Sequence, residues 1–263
     1  MKRLLAIMLA IMMLLSLSAC GENQQTGQNT GNNQTQSTNE NADTSTDNDN
    51  TNVDTPSSAN TSANTIEELE SIITKDIEDT VNALNSEWET LSAAITTYDA
   101  YVKNAEKVEQ FYEKINTQTE QACVRLQEYA AKYAEMIMTS DMSNDDKYDA
   151  FDELNDCIYD DAADDLNDGI YDGLLKDMQD ALYDGVLDDS DDAPSYSDWY
   201  DVRSDEYDNW YDTRSDVYEV WYDTRSDVYS FYYDMRGELW SDDIEKANET
   251  LEDYKADVEK LKK

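Results

Sequence analysis

From Trp199 the chain repeats itself at every eleventh position. Trp199-Tyr-Asp-Val-Arg-Ser-Asp-Glu-Tyr is followed by Trp210-Tyr-Asp-Thr-Arg-Ser-Asp-Val-Tyr and by Trp221-Tyr-Asp-Thr-Arg-Ser-Asp-Val-Tyr. A degenerate copy, Tyr232-Tyr-Asp-Met-Arg-Gly-Glu-Leu-Trp, closes the series. Such a hendecad period returns to nearly the same side of an α-helix after three turns, at about 3.67 residues per turn. A strand, with its two-residue alternation, does not preserve it. At about 100° per residue, Trp210, Tyr211, Arg214, Val217 and Tyr218 share one face, and Asp212, Ser215, Asp216 and Glu219 share the opposite one. After Leu239 the spacing becomes heptad-like through Trp240, Ile244, Ala247, Leu251, Tyr254, Val258 and Leu261. Lys260, Lys262 and Lys263 then suit the negative end of a helix. Ser195-x-x-Asp198, just after Ala193-Pro194, reads as the start signal.

The rest of the body reads as helix too. The chain has only 7 Gly and 2 Pro, too few for the tight turns of an all-β or nucleotide-binding α/β fold. Thr65-Ile66-Glu67-Glu68 is a capping box. From Ile66 to Thr139 neither Gly nor Pro occurs, and an apolar seam at 3–4 spacing runs from Ile73 through Trp88, Val102, Ile115 and Leu126 to Met136. It predicts one helix over 65–139 about 110 Å long, with weak points at Thr96-Thr97 and Asn116-Thr117. Residues 140–192 are crowded with acids, against only Lys147 and Lys176. Tyrosines recur there at 148, 159, 171 and 183, and Leu154, Ile158, Ala162, Leu166, Ile170 and Leu174 follow one another at spacing four. On an α-helix that ridge drifts around the axis, so this helix is expected to cross its neighbour obliquely. A third helix fills 193–263. The expected fold is all-α: an elongated antiparallel helical hairpin or three-helix, coiled-coil-like bundle, irregular because hendecads and heptads supercoil differently.

The net charge is −42, with 61 acidic and 19 basic side chains and no His. Such a chain repels nucleic-acid phosphates, and nucleic-acid binding is excluded as a function class. Absence of His removes the commonest metal ligand and the commonest acid–base group near neutral pH. The N-terminus has Met1-Lys2-Arg3, an apolar run from Leu4 to Leu15, then Ser16-Leu17-Ser18-Ala19-Cys20. This is a secretory signal pattern, too short for a comfortable membrane span of about 20 residues. Leu17-Ser18-Ala19-Cys20 resembles the lipobox of bacterial lipoproteins. The resemblance covers Met1 to Cys20 only. It implies cleavage of a signal peptide, 1–19, and acylation of Cys20. The acyl chains would hold the protein on the extracytoplasmic face of the cell membrane, since two chains anchor stably where one does not. Residues 20–64 then read as the lipidated cysteine and a disordered Asn/Gln/Thr/Ser-rich tether, with too little apolar surface to order itself.

The principal binding candidates are the aromatic–arginine positions Trp199, Arg203, Trp210, Arg214, Trp221, Arg225, Tyr232 and Arg236, each arginine flanked by aromatics four residues away on both sides. Their faces either pack cation on ring inside the bundle or stand exposed to a protein or a cell-surface glycan. Acidic repeats are open to weak, diffuse association with divalent cations. Asp164-Asp165-Leu166-Asn167-Asp168-Gly169 fails as a calcium loop because Leu166 and Leu175 occupy ligand positions. Cys123 and Cys157 form either a disulfide or two free thiols. No nucleophile–base pair, phosphate loop or metal cluster is legible, so the sequence points to no enzyme, no cofactor and no metal. It points to a membrane-anchored surface lipoprotein acting as a spacer or protein-interaction module, the alternative being glycan or cation binding.

Overall fold

A computed structural model describes residues 58–191 and 193–262. The signal segment, Cys20 and the tether up to residue 57 lie outside the described residues. Among the described residues the chain is all-α, without strands. No helix among them is long and apolar enough to cross a membrane.

The capping box works as read. Thr65 accepts from the Glu68 backbone N–H at 3.2 Å and starts α1 (Ile66–Ser92). The Glu68 carboxylate reaches one residue further back, accepting from the Asn64 backbone N–H at 2.8 Å. The ordered body begins before this cap: Ala59 donates its backbone N–H to Glu128, and Asn60 donates to the Tyr129 hydroxyl at 3.3 Å. Ala59 and Ala63 pack on the core, so residues 58–64 behave as part of the body rather than as tether.

The single helix expected over 65–139 is two. α1 ends at Ser92, and α2 (Tyr98–Thr139) starts at Thr97, whose hydroxyl accepts from the Ala100 N–H at 3.2 Å. Their lengths are about 40 and about 63 Å. Between them the Ala94 and Ile95 N–H groups fold back onto Leu91 and Ser92. The break falls at Thr96-Thr97, one of the two weak points, although the apolar seam continues through it without Gly or Pro. What it provides is mutual cover: Arg125 bonds Asp76, Tyr133 bonds Glu70, and Lys114 pairs with Glu87. One partner number falls as the other rises, so α1 and α2 run antiparallel. Asn116-Thr117 stays helical; the Thr117 hydroxyl donates to the Glu113 carbonyl at 3.0 Å.

Ser143 caps α3 (Asn144–Asn155), accepting from Asp146 N–H at 3.2 Å. The acidic segment then alternates. A π-helical stretch (Asp156–Ala162) leads into α4 (Ala163–Gly169). A second (Ile170–Leu174) leads into α5 (Leu175–Ala181), and a third spans Leu182–Val186. Ser195 caps α6 (Tyr196–Trp240), and Asp243 caps α7 (Ile244–Leu261). The expected unbroken helix over 193–263 is therefore two. Asp242, at φ 56°, turns the chain in the left-handed region that Asp tolerates better than most residues. Trp240, read as part of the heptad seam, is 79% exposed at this turn.

The oblique crossing expected for the acidic segment does not occur, and the π turns explain why. A π turn takes up one extra residue in an α-helix. Tyr159, Tyr171 and Tyr183 recur at every twelfth position, the first two inside π stretches and the third inside the last of them. That spacing over three turns is about 4.0 residues per turn, so a ridge at spacing four becomes straight. Ile158, Leu166, Ile170, Leu174, Met178 and Leu182 on that ridge are all buried. One such unit, a residue longer than a hendecad, thereby keeps step with one hendecad of α6. Ring pairs Tyr159–Tyr229, Tyr171–Tyr218 and Tyr183–Tyr207 show the two segments to be antiparallel and in register.

Two glycines sit where the π turns demand them. A Cβ at Gly173 would stand 2.9 Å from the Asp168 carbonyl oxygen, and one at Gly185 would stand 2.9 Å from that of Asp180. Backbone cannot give way there as a flexible side chain could. Gly237, in the interior of α6, has nothing within 4 Å of its Cβ position. Opposite outcomes follow for the same substitution. Gly237→Ala stabilises by about 0.5–1 kcal/mol, the ordinary helix preference. Gly173→Ala destabilises by about 1–3 kcal/mol as the π turn distorts. Urea unfolding followed by circular dichroism checks both; a stabilising Gly173→Ala would contradict this account of the turn.

Candidate functional site

Between the acidic segment and α6 stands a ladder of four arginines, each held between two rings. The guanidinium carbons of Arg203, Arg214 and Arg225 lie 4.1 Å from the ring centroids of Tyr183, Tyr171 and Tyr159, and that of Arg236 lies 3.9 Å from Tyr148. On its other side each meets the aromatic four residues earlier: Trp199 and Trp210 at 5.3 Å, Trp221 at 5.2 Å, and Tyr232 at 5.4 Å. All four Nε atoms are buried without a hydrogen-bond partner, as expected of a planar cation lying flat on a ring rather than reaching for an acceptor. Each cation–ring contact contributes about 0.5–2 kcal/mol. Terminal nitrogens of three turn to the acidic segment: Arg225 to Asp164 and Arg236 to Asp152 at 2.8 Å, Arg203 to Asp188 at 3.5 Å. Among the described residues Arg214 has no equivalent ion pair: the position that matches Asp164 in the next acidic unit is Lys176, which pairs with Asp180 at 2.5 Å.

The tryptophans tie the ladder to the π turns. The indole N–H groups of Trp199 and Trp210 donate to the backbone carbonyls of Leu187 and Leu175 at 2.9 Å, and that of Trp221 donates to Ala163 at 2.8 Å. Each of those three residues closes an i→i−5 bond with its own N–H, to Leu182, Ile170 and Ile158 in turn. A carbonyl has a second lone pair to offer, and a buried indole needs an acceptor. The degenerate fourth repeat has Tyr232 in place of Trp, and its hydroxyl donates to the Asp152 carboxylate at 2.7 Å. There α3 is regular, and the step from Tyr148 to Tyr159 is an ordinary hendecad. Tryptophan on α6 and a π turn opposite therefore occur together.

The structure thus gathers Trp199, Arg203, Trp210, Arg214, Trp221, Arg225, Tyr232 and Arg236 onto one face, turned towards the protein's own acidic segment. The shared face read from sequence divides. Trp210 and Val217 are buried, whereas Tyr211 and Tyr218 are 54% and 45% exposed. Thr213 and Thr224, not singled out in the sequence, are buried.

Cys123 and Cys157 are free thiols, not a bridge. The turn at residues 140–143 brings their helices together, but Cys123 is buried beside Thr224 of α6, and Cys157 lies near Glu70 of α1. Burial pushes each thiol up to about 12. Asp164–Gly169 belongs to the helix α4 rather than to a loop. Among the described residues, no group of three or more thiol or carboxylate side chains is placed to hold a metal ion.

One further residue escapes a reading of the sequence alone. Glu206 occupies the position that is Val217, Val228 and Leu239 in the other repeats, and it is fully buried. Its carboxyl group bonds the Tyr112 and Tyr101 hydroxyls at 2.6 and 2.7 Å. A depression of about 380 Å³ between α2 and α6, lined by Tyr101, Val102, Glu106, Asp205 and Asp208, lies beside it. Burial pushes the Glu206 carboxyl up to about 7, and the two tyrosine hydroxyls oppose that shift. The unfolded chain releases this proton near 4.5, so Glu206 lowers stability progressively as pH rises from about 4.5 to about 7, and no further above that. The loss is about 3 kcal/mol over that window. Glu206→Gln is expected to be more stable than the native chain at pH 8 and to lose that advantage by pH 5. Urea midpoints of both proteins at the two pH values check this; an equal difference at both would remove the role of ionisation.

Comparisons with known proteins find no match for this chain among family models, curated proteins or solved structures.

Proposed function

We propose that the chain is a membrane-anchored surface lipoprotein, acylated at Cys20, whose helical body acts as a spacer and protein-interaction module. The finer architecture under this reading is an elongated antiparallel, coiled-coil-like bundle carried away from the membrane by the Asn/Gln/Thr/Ser-rich segment. The reading assigns the protein no catalysis. The observation that carries it is the inward ladder. Its arginines and tryptophans are spent on holding the acidic segment against α6, the work of a rigid body rather than of a reaction centre. The high negative charge supports an orientation away from an anionic membrane, which repels the body while the acyl chains hold its end.

Replacing Cys20 tests the anchor. In cells of a lipoprotein-processing bacterium fed labelled palmitate, the native chain is expected in the membrane fraction with label. Cys20→Ala is expected unlabelled and released from the membrane. A native chain that carries no label and leaves the membrane would reject the anchored reading.

A further inference from the structure

The tyrosines left outside the ladder form a second seam along α6. Tyr200, Tyr211, Tyr222 and Tyr233 are 58, 54, 56 and 66% exposed. Each stacks on the tyrosine four residues before it, with ring centroids 6.1–6.5 Å apart and planes within 28° of parallel. Between successive stacked pairs fall Ser204, Ser215 and Ser226, and Gly237 follows the last pair. The exposed line therefore steps by three, four and four residues. The buried line on the same helix, Val202, Glu206, Trp210, Thr213 and Val217, steps in the same way. Such spacing is that of a helix–helix seam, and a small residue between large ones is a hole that a side chain of a second helix fills. Here no segment among the described residues fills it.

The surroundings of the seam define what fits. Asp201, Asp212 and Asp223 are exposed on its α6 side. Across it, Asp160, Asp172 and Asp184 are exposed, each one residue after a tyrosine of the ladder. A stripe of rings with carboxylates along both flanks matches a helix that carries apolar side chains on one face and Lys or Arg beside them. A second copy of this chain is a poor occupant, because its own flanks carry the same sign.

We propose that this face seats a cationic amphipathic helix of a separate polypeptide. Its apolar side chains enter the gaps at Ser204, Ser215 and Ser226, and its ammonium and guanidinium groups lie over the flanking carboxylates and ring faces. The proposal deepens the interaction-module reading and does not depend on the acyl anchor. Cys20→Ala protein is therefore expected to bind as the native chain does, which separates failure of one from failure of the other.

The probe is a synthetic peptide of Leu and Lys, about 22 residues long to span two repeats, with Leu at three–four–four spacing. It is titrated calorimetrically into the full chain beside a scrambled isomer of identical composition and an oligolysine of equal length. The patterned peptide is expected to bind about tenfold or more tighter than either control, a difference of about 1.4 kcal/mol. Tyr211→Ser with Tyr222→Ser is expected to abolish that preference while leaving oligolysine binding and the far-ultraviolet spectrum unchanged. Should that variant unfold, Asp201→Asn with Asp212→Asn and Asp223→Asn provides the second arm, and is expected to weaken the patterned peptide severalfold. Equal binding of patterned and scrambled peptides would overturn the proposal in favour of charge alone. So would a tyrosine-dependent dimer of the chain in sedimentation, or a soluble glycan that binds this face in place of the peptide.

Discussion

Trp210→Ala is expected to cost about 3–5 kcal/mol of stability, the range for truncating a large buried aromatic. The indole is 7% exposed, lies against the Arg214 guanidinium, and donates to the Leu175 carbonyl just beyond a π turn. Truncation removes all three contributions and leaves the arginine with only Tyr171 beneath it. Trp210→Phe separates ring from donor. It keeps most of the apolar contact, removes the N–H, and is expected to cost about 1–2 kcal/mol. Tyr232→Phe, in the repeat that faces a regular α-helix, removes a part-buried hydroxyl–carboxylate bond instead and serves as the comparison. Hydrogen exchange places the effect: in Trp210→Phe, amides of Ile170–Leu175 are expected to lose protection before those of α3. Uniform loss along the acidic segment would mean that the indole supports packing in general and not its π turn.

Arg125→Met is expected to be at least as damaging. The Arg125 side chain is 1% exposed and bonds Asp76 at 2.7 Å and Thr80 at 2.8 Å, while Tyr129 donates to the same Asp76 oxygen at 3.2 Å. Removing the cation strands a carboxylate that is only 15% exposed, and a broken buried pair costs about 3–5 kcal/mol. Replacing both partners removes the stranded charge. Arg125→Met with Asp76→Leu is expected to regain most of the loss, because an apolar pair of similar volume is often neutral beside a buried ion pair. Denaturant unfolding of the two singles and the double completes the cycle; additive losses would show that the two charges do not act together.

The caps are legible residue by residue. Thr65, Ser143 and Ser195 each do what their spacing to Glu68, Asp146 and Asp198 announces, since a cap is a bond over three residues that needs no distant partner. The arginine ladder is half legible. Ring and cation at spacing four are visible along α6, but the rings on the far side belong to residues 148–183, and nothing local pairs Tyr171 with Arg214. Glu206 carries a signal, an acid where the other repeats have Val or Leu. Its meaning depends on Tyr101 and Tyr112, far off in the chain. The turn at 93–97 falls at Thr96-Thr97, one of the two weak points of the seam, whereas that at 241–243 escapes notice because Asp242 and Asp243 make it without Gly or Pro.

Helix type along the whole body follows from local chemistry: periodicity, caps and the scarcity of turn formers act within a few residues of one another. The register between the two repeats does not. A hendecad on α6 and the one-residue-longer unit on the acidic segment have different natural pitches when each is taken alone. Only their contact, indole to carbonyl and guanidinium to ring, selects the π turns at which the extra residue is taken up. Gly173 and Gly185 make room for two of these turns, but the bonds that fix them come from the facing helix, and so they become visible only once both helices are in place.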